Sequence, residues 1–303
     1  MSYGDPRYNR RYSRGNDIQI GLLVRAIPIV IGLCAVGFTM VRGCQQGPFG
    51  RVQIVAMNPA QEEKLGLQAF QEVLSDARVV RQGPAARKVR EIAERLIQAT
   101  SNETFQKMVG TPIPEFKWQL EVVNDRQVNA FCLPGGKIVV YTAILPVAET
   151  DAGLATVIGH EIAHALAHHG AERMAQQQMV QIGLTSASVS MGDMDARKRQ
   201  QLLSVLNAGA KFGILGYSRK HESEADHMGL LLMAAAGYDP TESIRFWERM
   251  TSATGGGQAP PEFMSTHPNH KTRIKDLTRW MPEAEAIYKN SPSRSRTEVL
   301  PEH

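Results

Sequence analysis

Cysteine, excess charge and long apolar runs are all scarce in this chain, and each scarcity excludes a class of protein. The 303 residues include three cysteines, Cys34, Cys44 and Cys132, which are too few and too scattered for a disulfide framework or a cysteine-rich metal site. The net charge of +4 at pH 7 comes mostly from arginines in the first 25 residues. Because the rest of the chain is close to neutral, we expect no nucleic-acid partner.

The one long apolar run lies near the N-terminus, over residues 18–41, and is interrupted by Gln19 and Arg25. Its length matches the thickness of a bilayer, so we expect an uncleaved transmembrane signal anchor. A signal peptide cleaved near residues 35–37 and a buried helix are the alternatives. The preceding arginines place the N-terminus in the cytoplasm. We therefore expect a single-pass protein of the bacterial inner membrane with a periplasmic body, or an exported protein if the signal is cleaved.

Composition divides the chain into a folded body and flexible segments. The predicted units are a disordered basic start (1–17), the anchor (18–41), a linker (42–51), the body (52–285) and a disordered tail (286–303). Helical periodicity covers residues 58–100 and almost everything from 150 to about Trp280, with β-rich runs on either side of Pro134-Gly135-Gly136. These patterns predict an α+β fold that is mostly α-helical with a small sheet.

The segment VIGHEIAHALAHHG, residues 157–170, places ionisable side chains inside an otherwise apolar helix. His160 and His164 are one turn apart on one face, so both imidazoles can bind one metal ion, and Glu161 lies alongside as a base. Buried histidine and glutamate side chains need partners of this kind. The HExxH spacing therefore predicts one zinc ion per chain.

A catalytic zinc site has three protein ligands and keeps a fourth position for water, so a third ligand is required. The extended motif HExxHxxGxxH is excluded, because Ala167 and Gly170 occupy its glycine and histidine positions. The later segment YSRKHESEADHMG offers Glu222 or Glu224. We choose Glu222, since Asp226 follows it by one turn and can hold the second ring nitrogen of a ligating histidine. Glu224 is then expected to be a surface charge.

With these residues placed, the chain resembles peptidase family M48, in the branch of the Oma1-like and BepA-like proteases. Four segments carry the resemblance: NAFCLPGGKIVVYTAIL, VIGHEIAHALAHH, YSRKHESEAD and STHPNHKTRI. It covers residues 58–277 and departs at Ala143, where we expect glycine. The resemblance implies a zincin-type fold whose sheet edge lies over the HExxH helix. It also implies zinc bound by the motif histidines and by the glutamate that matches Glu222, in a zinc metalloendopeptidase.

In such an enzyme, zinc polarises the scissile carbonyl, and Glu161 transfers a proton from water to the leaving amine. Arg273 matches a family arginine near the metal, and we expect it to stabilise the oxyanion or to form a structural salt bridge. We expect the substrate to add as a β-strand along GGKIVVY. The predicted contacts are Gly135, Gly136, Lys137, Ile138, Val139 and Val140.

This binding mode suits a quality-control protease for unfolded or misassembled envelope proteins. The alternative is a chaperone-like or adaptor protein that binds metal in a latent site. His267 precedes Pro268, and the resembling family has a histidine here that can approach the metal. It either fills the fourth zinc position and keeps the enzyme latent, or lines the cleft. No pattern indicates an oligomer.

Three neighbouring residues have simpler expected roles. His168 and His169 are expected in the last turn of the HExxH helix, where a cation suits the helix dipole. Cys132 is expected in the core, because a nucleophilic cysteine needs a paired base.

Overall fold

The structure is a computed structural model that describes residues 6–192, 194–254, 263, 267 and 272–301. Within these ranges the helices are α1 (Pro6–Gly43), α2 (Pro59–Ser75), α3 (Pro84–Ala99), α4 (Glu103–Val109), α5 (Leu145–Ala148), α6 (Asp151–Leu166), α7 (His169–Ser190), α8 (Ala196–Ala235), α9 (Glu242–Thr254) and α10 (Arg273–Asn290). The strands are β1 (Cys44–Gln46), β2 (Val52–Ile54), β3 (Gln119–Val123), β4 (Ala130–Leu133) and β5 (Lys137–Tyr141). The predicted mostly helical α+β class is confirmed. The sequence also predicts that the last helix begins at His270, which lies outside the described residues.

Helix α6 forms the centre of the body, and every residue from Asp151 to Leu166 is buried. Its first turn is capped by Thr150, whose hydroxyl oxygen accepts a hydrogen bond from the Gly153 amide at 3.0 Å. Helices α3, α8 and α9 and strand β4 pack around it. Because no face of α6 is open to water, its ionisable side chains have to be satisfied by one another or by a bound group.

Two glycines allow α6 and α8 to cross at close range. A Cβ atom on Gly229 of α8 would lie 2.9 Å from the backbone nitrogen of His160 and 3.1 Å from the carbonyl carbon of Gly159. Nonbonded carbon atoms prefer separations of about 3.5–4.0 Å, so a larger residue would push the helices apart. Glu222 and Asp226 lie within two turns before Gly229, and the crossing therefore brings them to the HExxH face.

The body contains a three-stranded sheet in the order β3-β5-β4. β5 pairs in parallel with β3, from Gln119↔Lys137 to Val123↔Tyr141, and antiparallel with β4, from Ala130↔Val140 to Leu133↔Lys137. β5 is therefore the central strand. Gly135 and Gly136 form the turn between β4 and β5 with φ angles of 71° and 75°, a left-handed conformation that glycine adopts without steric strain.

Helix α1 begins at Pro6, well before the predicted anchor, and ends at Gly43. Proline suits the first turn of a helix, because the amide it lacks has no partner there. Among the described helices, only the segment Val24–Gly43 is long and apolar enough to cross a membrane. In place of the predicted linker, β1 pairs with β2 from Cys44↔Ile54 to Gln46↔Val52.

The C-terminal segment is held on the body rather than disordered. α10 continues past Trp280 to Asn290, because Met281, Ala284 and Ile287 are buried on one of its faces. Farther on, Val299 forms a bridge with Thr150, and the Leu300 amide donates to the Glu149 carbonyl at 2.9 Å. The polar composition of residues 286–303 gave no sign of these backbone hydrogen bonds. The predicted domain bounds themselves remain predictions.

Candidate metal centre

Four buried side chains converge at the α6–α8 crossing. His160 and His164 come from α6, Glu222 from α8, and His267 from the chain before α10. Their ligand atoms all lie within 4.8 Å of one another, and no second cluster of this kind occurs among the residues that the structure describes. The structure thus brings together the three predicted ligands and adds His267 to them.

The distances between these atoms fit a tetrahedral metal ion. Zinc–nitrogen bonds of about 2.0–2.1 Å at tetrahedral angles separate the ligand atoms by about 3.3 Å. Nε2 of His160 lies 3.1 Å from Nε2 of His164, 3.3 Å from Nδ1 of His267 and 3.4 Å from Oε2 of Glu222. Oε1 of Glu222 lies 3.5 Å from Nε2 of His164 and 3.2 Å from Nδ1 of His267. Three imidazoles and one carboxylate therefore suit zinc or a similar divalent ion.

The electrostatic environment also favours a cation. Burial lowers the pKa of His160, but Asp226 and Glu222 outweigh burial and raise it to about 10. Burial lowers the pKa of His164 well below its ordinary value, so this imidazole is neutral. Burial acts to raise the pKa of Glu222, yet the neighbouring histidines, His164 first, hold it well below its usual range. The negative potential that attracts a proton to His160 can attract a metal ion in its place.

Glu161 lies beside the four ligand side chains. Its Oε2 accepts a hydrogen bond from the Cys132 amide at 3.2 Å, and its Oε1 lies 3.4 Å from Nε2 of His267. Burial raises the pKa of Glu161, against the opposing effects of His267 and His160. A carboxylate with a raised pKa is a stronger base, so the environment suits the proton transfer expected of Glu161.

The Cys132 side chain fits the expectation of a core residue. It is partly buried and packs against the main core cluster. Burial and the charge of Glu161 raise the pKa of the Cys132 thiol well above its ordinary value. A thiol that stays neutral is a poor nucleophile.

The second ring nitrogen of His160 is held by Asp226, with 3.0 Å between Nδ1 and Oδ1. Arg273 binds the same carboxylate from behind, donating from Nε to Oδ2 of Asp226 at 2.6 Å and from Nη2 to Oε2 of Glu222 at 3.1 Å. Its guanidinium lies 3.8 Å from the centre of the Trp247 ring, and the side chain is fully buried. This geometry favours the structural salt bridge over the oxyanion role for Arg273.

His169 lies behind His164, although the sequence predicted that His168 and His169 end the HExxH helix. That prediction is wrong, because α6 ends at Leu166, His168 turns the chain with a φ of 54°, and α7 begins at His169. Nδ1 of His169 lies 2.8 Å from Nδ1 of His164. Its Nε2 lies 2.7 Å from Oε2 of Glu224. His169 therefore holds the second ring nitrogen of His164, as Asp226 does for His160.

Glu224 is buried, so its predicted place on the surface is wrong. Only 9% of it is exposed, and Arg51 donates to both of its oxygens at 2.9–3.1 Å. Arg51 also donates to Glu172 at 3.0 Å, and Glu172 lies 2.9 Å from Nε2 of His221. Sequence reasoning missed this cluster, although adjacent histidines at the end of an apolar run were a signal that they needed buried partners.

The prediction that the substrate adds as a strand along β5 is wrong, because β5 is not an edge strand. β5 is paired on both sides, and Lys137, Ile138, Val139 and Val140 are buried. Its continuous apolar run is typical of a strand covered on both faces rather than of an exposed edge. The edge beside α6 belongs to β4, where the Cys132 amide reaches Glu161.

His267 is attached to the end of this β4 edge through Phe263. The Phe263 amide donates to the Val128 carbonyl at 3.2 Å, and the His267 amide donates to the Phe263 carbonyl at 2.8 Å. The two rings stack with their centres 4.7 Å apart. These contacts hold Nδ1 of His267 at the fourth corner of the metal centre.

The sequence model of peptidase family M48 matches residues 86–281, a range that contains all four ligand side chains and Glu161. The chain belongs to peptidase family M48. The resemblance seen in the sequence is thus confirmed. Within M48, the chain is 36% identical over 228 residues to the mitochondrial metalloendopeptidase OMA1 of Schizosaccharomyces pombe, which covers 74% of this chain and 62% of that protein.

Two further relatives define the range of similarity within M48. The Saccharomyces cerevisiae mitochondrial metalloendopeptidase OMA1 is 35% identical over 221 residues, covering 71% of this chain and 61% of that protein. The beta-barrel assembly-enhancing protease of Escherichia coli is 28% identical over 159 residues, covering 51% and 32%. The chain therefore spans less than two thirds of the length of each of these relatives.

The predicted location in a bacterial inner membrane, with a periplasmic body, is wrong by these comparisons. Relatives from fungi, a plant and animals are named mitochondrial, while the bacterial protease matches a smaller share of the chain. The prediction rested on the arginines before the apolar run. Such a charge bias determines the orientation of a helix and does not identify the membrane.

Proposed function

We propose that this chain is a membrane-anchored zinc metalloendopeptidase that hydrolyses peptide bonds in unfolded or misassembled polypeptides. The observation that carries the proposal is the tetrahedral convergence of His160, His164 and Glu222 beside a buried base, Glu161. Membership of family M48 and relatives named metalloendopeptidases support it. The apolar segment Val24–Gly43 supplies the anchor.

The chain's own residues account for the steps of hydrolysis. Zinc, when bound by His160, His164 and Glu222, would polarise the scissile carbonyl and acidify water. Glu161 removes a proton from the attacking water and delivers it to the leaving amine. Asp226 and His169 fix the ring orientation of the two histidine ligands.

The edge of β4 is the proposed binding site for the substrate backbone. The Cys132 amide points away from β5 towards Glu161, and Ala130, two residues earlier, faces the same way because strand residues alternate. An added strand would use main-chain hydrogen bonds, which require no particular sequence but require an extended chain. This requirement favours unfolded or misassembled polypeptides as substrates.

Glu161→Gln tests the assignment of the base. Glutamine keeps the size of the side chain and an oxygen for the Cys132 amide, but it cannot take a proton. Casein digestion should be lost while zinc, measured by atomic absorption, stays at one ion per chain. Glu62→Gln is the matched control, because Glu62 is also buried but binds His168 instead of the centre, and it should remain active. Loss of zinc from Glu161→Gln would contradict the assignment.

We further propose that His267 occupies the fourth position in a latent enzyme and leaves it when substrate binds. Four protein ligands around zinc are also typical of a purely structural site. A latent protease therefore has to be distinguished from a structural zinc module. In a latent protease, His267→Ala should keep zinc and cleave casein faster. In a structural zinc module, the same variant should lose zinc and gain no activity. A slower variant with zinc intact would instead make His267 a participant in the chemistry.

A further inference from the structure

Helices α7 and α8 form a long hairpin between the HExxH segment and Glu222, and two stretches of it contain almost no charge. Residues 174–192 of the first arm contain no Asp, Glu, Lys, Arg or His. Residues 200–218 of the second arm contain only Lys211. Each stretch has 19 residues, close to the roughly 20 residues with which a helix crosses a bilayer.

Apart from Lys211, the charges of the hairpin lie at the two ends of these stretches. Asp195, Arg197, Lys198 and Arg199 lie at the tip, and Arg173 and Arg219 lie at the base. A soluble helical hairpin of this length normally carries charges along its outer faces. Charges concentrated at both ends are instead typical of helices whose middle lies in hydrocarbon.

The hairpin packs along the membrane segment of α1 rather than away from it. A Cβ atom at Gly32 of α1 would clash with the Ser186 side chain of α7. Gly32 is buried, and Ala35 and Thr39 are partly buried; small residues of this kind are common where membrane helices meet. The Thr39 hydroxyl donates to the Ala35 carbonyl at 3.0 Å and so needs no water.

Helices α1 and α7 extend over the same depth. Gly32 of α1 contacts Ser186 of α7, and the two helices run in opposite directions from this contact. Arg25 lies seven residues before Gly32, about 10 Å along the helix axis, a distance similar to that between Ser186 and the charged tip. In the other direction, Gly43 lies eleven residues after Gly32, and Ala175 lies eleven residues before Ser186. The charge-free stretch of α7 therefore covers the same depth as Val24–Gly43.

Large apolar side chains of the hairpin are exposed on both of its arms. The groove between the arms is lined by polar side chains, Gln181, Thr185, Ser188, Gln200, Ser204 and Asn207, and by the apolar Leu184, Val189 and Leu203. Val189 is nevertheless 60% exposed, and Val205 is 67% exposed. Leu202 and Leu206 extend the outer stripe of α8 at helical spacing. Water would contact this apolar surface, whereas lipid tails would cover it.

We propose that the α7–α8 hairpin enters the lipid bilayer beside α1, so that three helices of the chain, and not one, contact hydrocarbon. The inference rests on the proposed role of α1 as a membrane anchor. The first arm begins at His169, five residues after His164, so the metal centre lies at the membrane surface. Substrates then meet Glu161 close to the lipid headgroups.

The experiment measures the depth of single spin labels in the full-length protein. Cys34→Ala, Cys44→Ser and Cys132→Ala remove the native thiols, and one new cysteine is introduced at a time. The protein is reconstituted into vesicles of phosphatidylcholine and phosphatidylglycerol. Collision of the label with oxygen, which concentrates in hydrocarbon, is compared with collision with a water-soluble nickel chelate. Val205→Cys and Val189→Cys test the two arms, so failure of one variant to fold leaves the other.

Two exposed positions serve as references. Ile31→Cys reports on α1, where Ile31 is 63% exposed, and Lys107→Cys reports on the body, where Lys107 is 78% exposed. We expect the hairpin labels to match Ile31, with a severalfold higher ratio of oxygen to nickel collisions than at Lys107. If Ile31 lies in hydrocarbon while both hairpin labels match Lys107, the hairpin proposal is overturned and the anchor stands. If Ile31 also matches Lys107, the anchor itself is refuted.

Discussion

Arg273→Ala should destabilise the body strongly, and the structure indicates how much. Arg273 is fully buried and binds Asp226 and Glu222 while its guanidinium covers the Trp247 ring. Removing one partner of a buried ion pair costs about 3–5 kcal/mol, because the other charge remains buried without compensation. For a domain of this size each kcal/mol lowers the melting temperature by about 2–4 °C. We therefore expect a decrease of about 6–20 °C.

The assay is thermal unfolding of the metal-free protein in detergent, so that loss of zinc does not contribute. Arg279→Ala is the control, because Arg279 lies on the same helix, is 66% exposed and pairs with Asp276. It should change the free energy of unfolding by no more than about 0.5 kcal/mol. Arg273→Lys should recover only part of the loss, since an ammonium cannot bind two carboxylates and stack on an indole as a guanidinium does.

The effect should also depend on pH in a defined direction. Burial acts to raise the pKa of Asp226, but Arg273 and His160 together outweigh burial and lower it. A carboxyl with a lowered folded pKa contributes stability that is present above the unfolded value of about 3.9 and is lost as pH falls through the folded value. The difference between wild type and Arg273→Ala should therefore shrink below about pH 4. If Arg273→Ala melts with the wild type and keeps zinc but loses turnover, Arg273 acts on the oxyanion and this reasoning is refuted.

The remaining predictions concern the residues around the centre. His169→Gln should bind zinc about 10- to 100-fold more weakly in competition with a chelator. His168→Gln should keep the wild-type affinity, because His168 does not contact His164. Equal loss of affinity in both variants would refute the positioning role of His169. Arg51→Gln should weaken zinc retention in the same direction, measured by the same chelator competition, and unchanged retention would separate Arg51 from the centre. Cys132 should react with iodoacetamide more slowly than the exposed Cys44 at mildly alkaline pH, because its raised pKa leaves less thiolate; mass spectrometry of the labelled peptides would show the reverse if the thiol were activated.

The parts of the site that sequence could predict are those governed by helical spacing. His160 and His164 share a face because they are four residues apart, and Asp226 reaches His160 because it follows Glu222 by one turn. Both arguments need only the geometry of a single helix. The choice of Glu222 over Glu224 also rested on helical spacing, and the structure brings Glu222 to the centre.

The parts that could not be predicted depend on contacts between distant segments. The strand order β3-β5-β4 places β5 in the middle, and only the sheet topology shows that both of its edges are paired. Glu224 was assigned to the surface because Glu222, which has Asp226 one turn later, was chosen as the ligand, but Arg51, 173 residues away, neutralises Glu224 inside the body. Likewise, His169 begins a new helix because the chain turns at His168, in a left-handed conformation that few non-glycine residues adopt.

The metal centre therefore depends on more of the chain than the residues that would bind the ion. His164 is held by His169, His169 by Glu224, and Glu224 by Arg51, which lies just before β2 and only eight residues after the end of α1. Each link is a buried, charge-assisted or histidine-mediated contact, so the loss of any one leaves the next without its partner. Arg51, which lies between β1 and β2, thereby connects this pair of strands to a histidine of the centre. A shortened chain that began at Val52 would keep the whole HExxH segment but would leave Glu224 and Glu172 without the cation that compensates them.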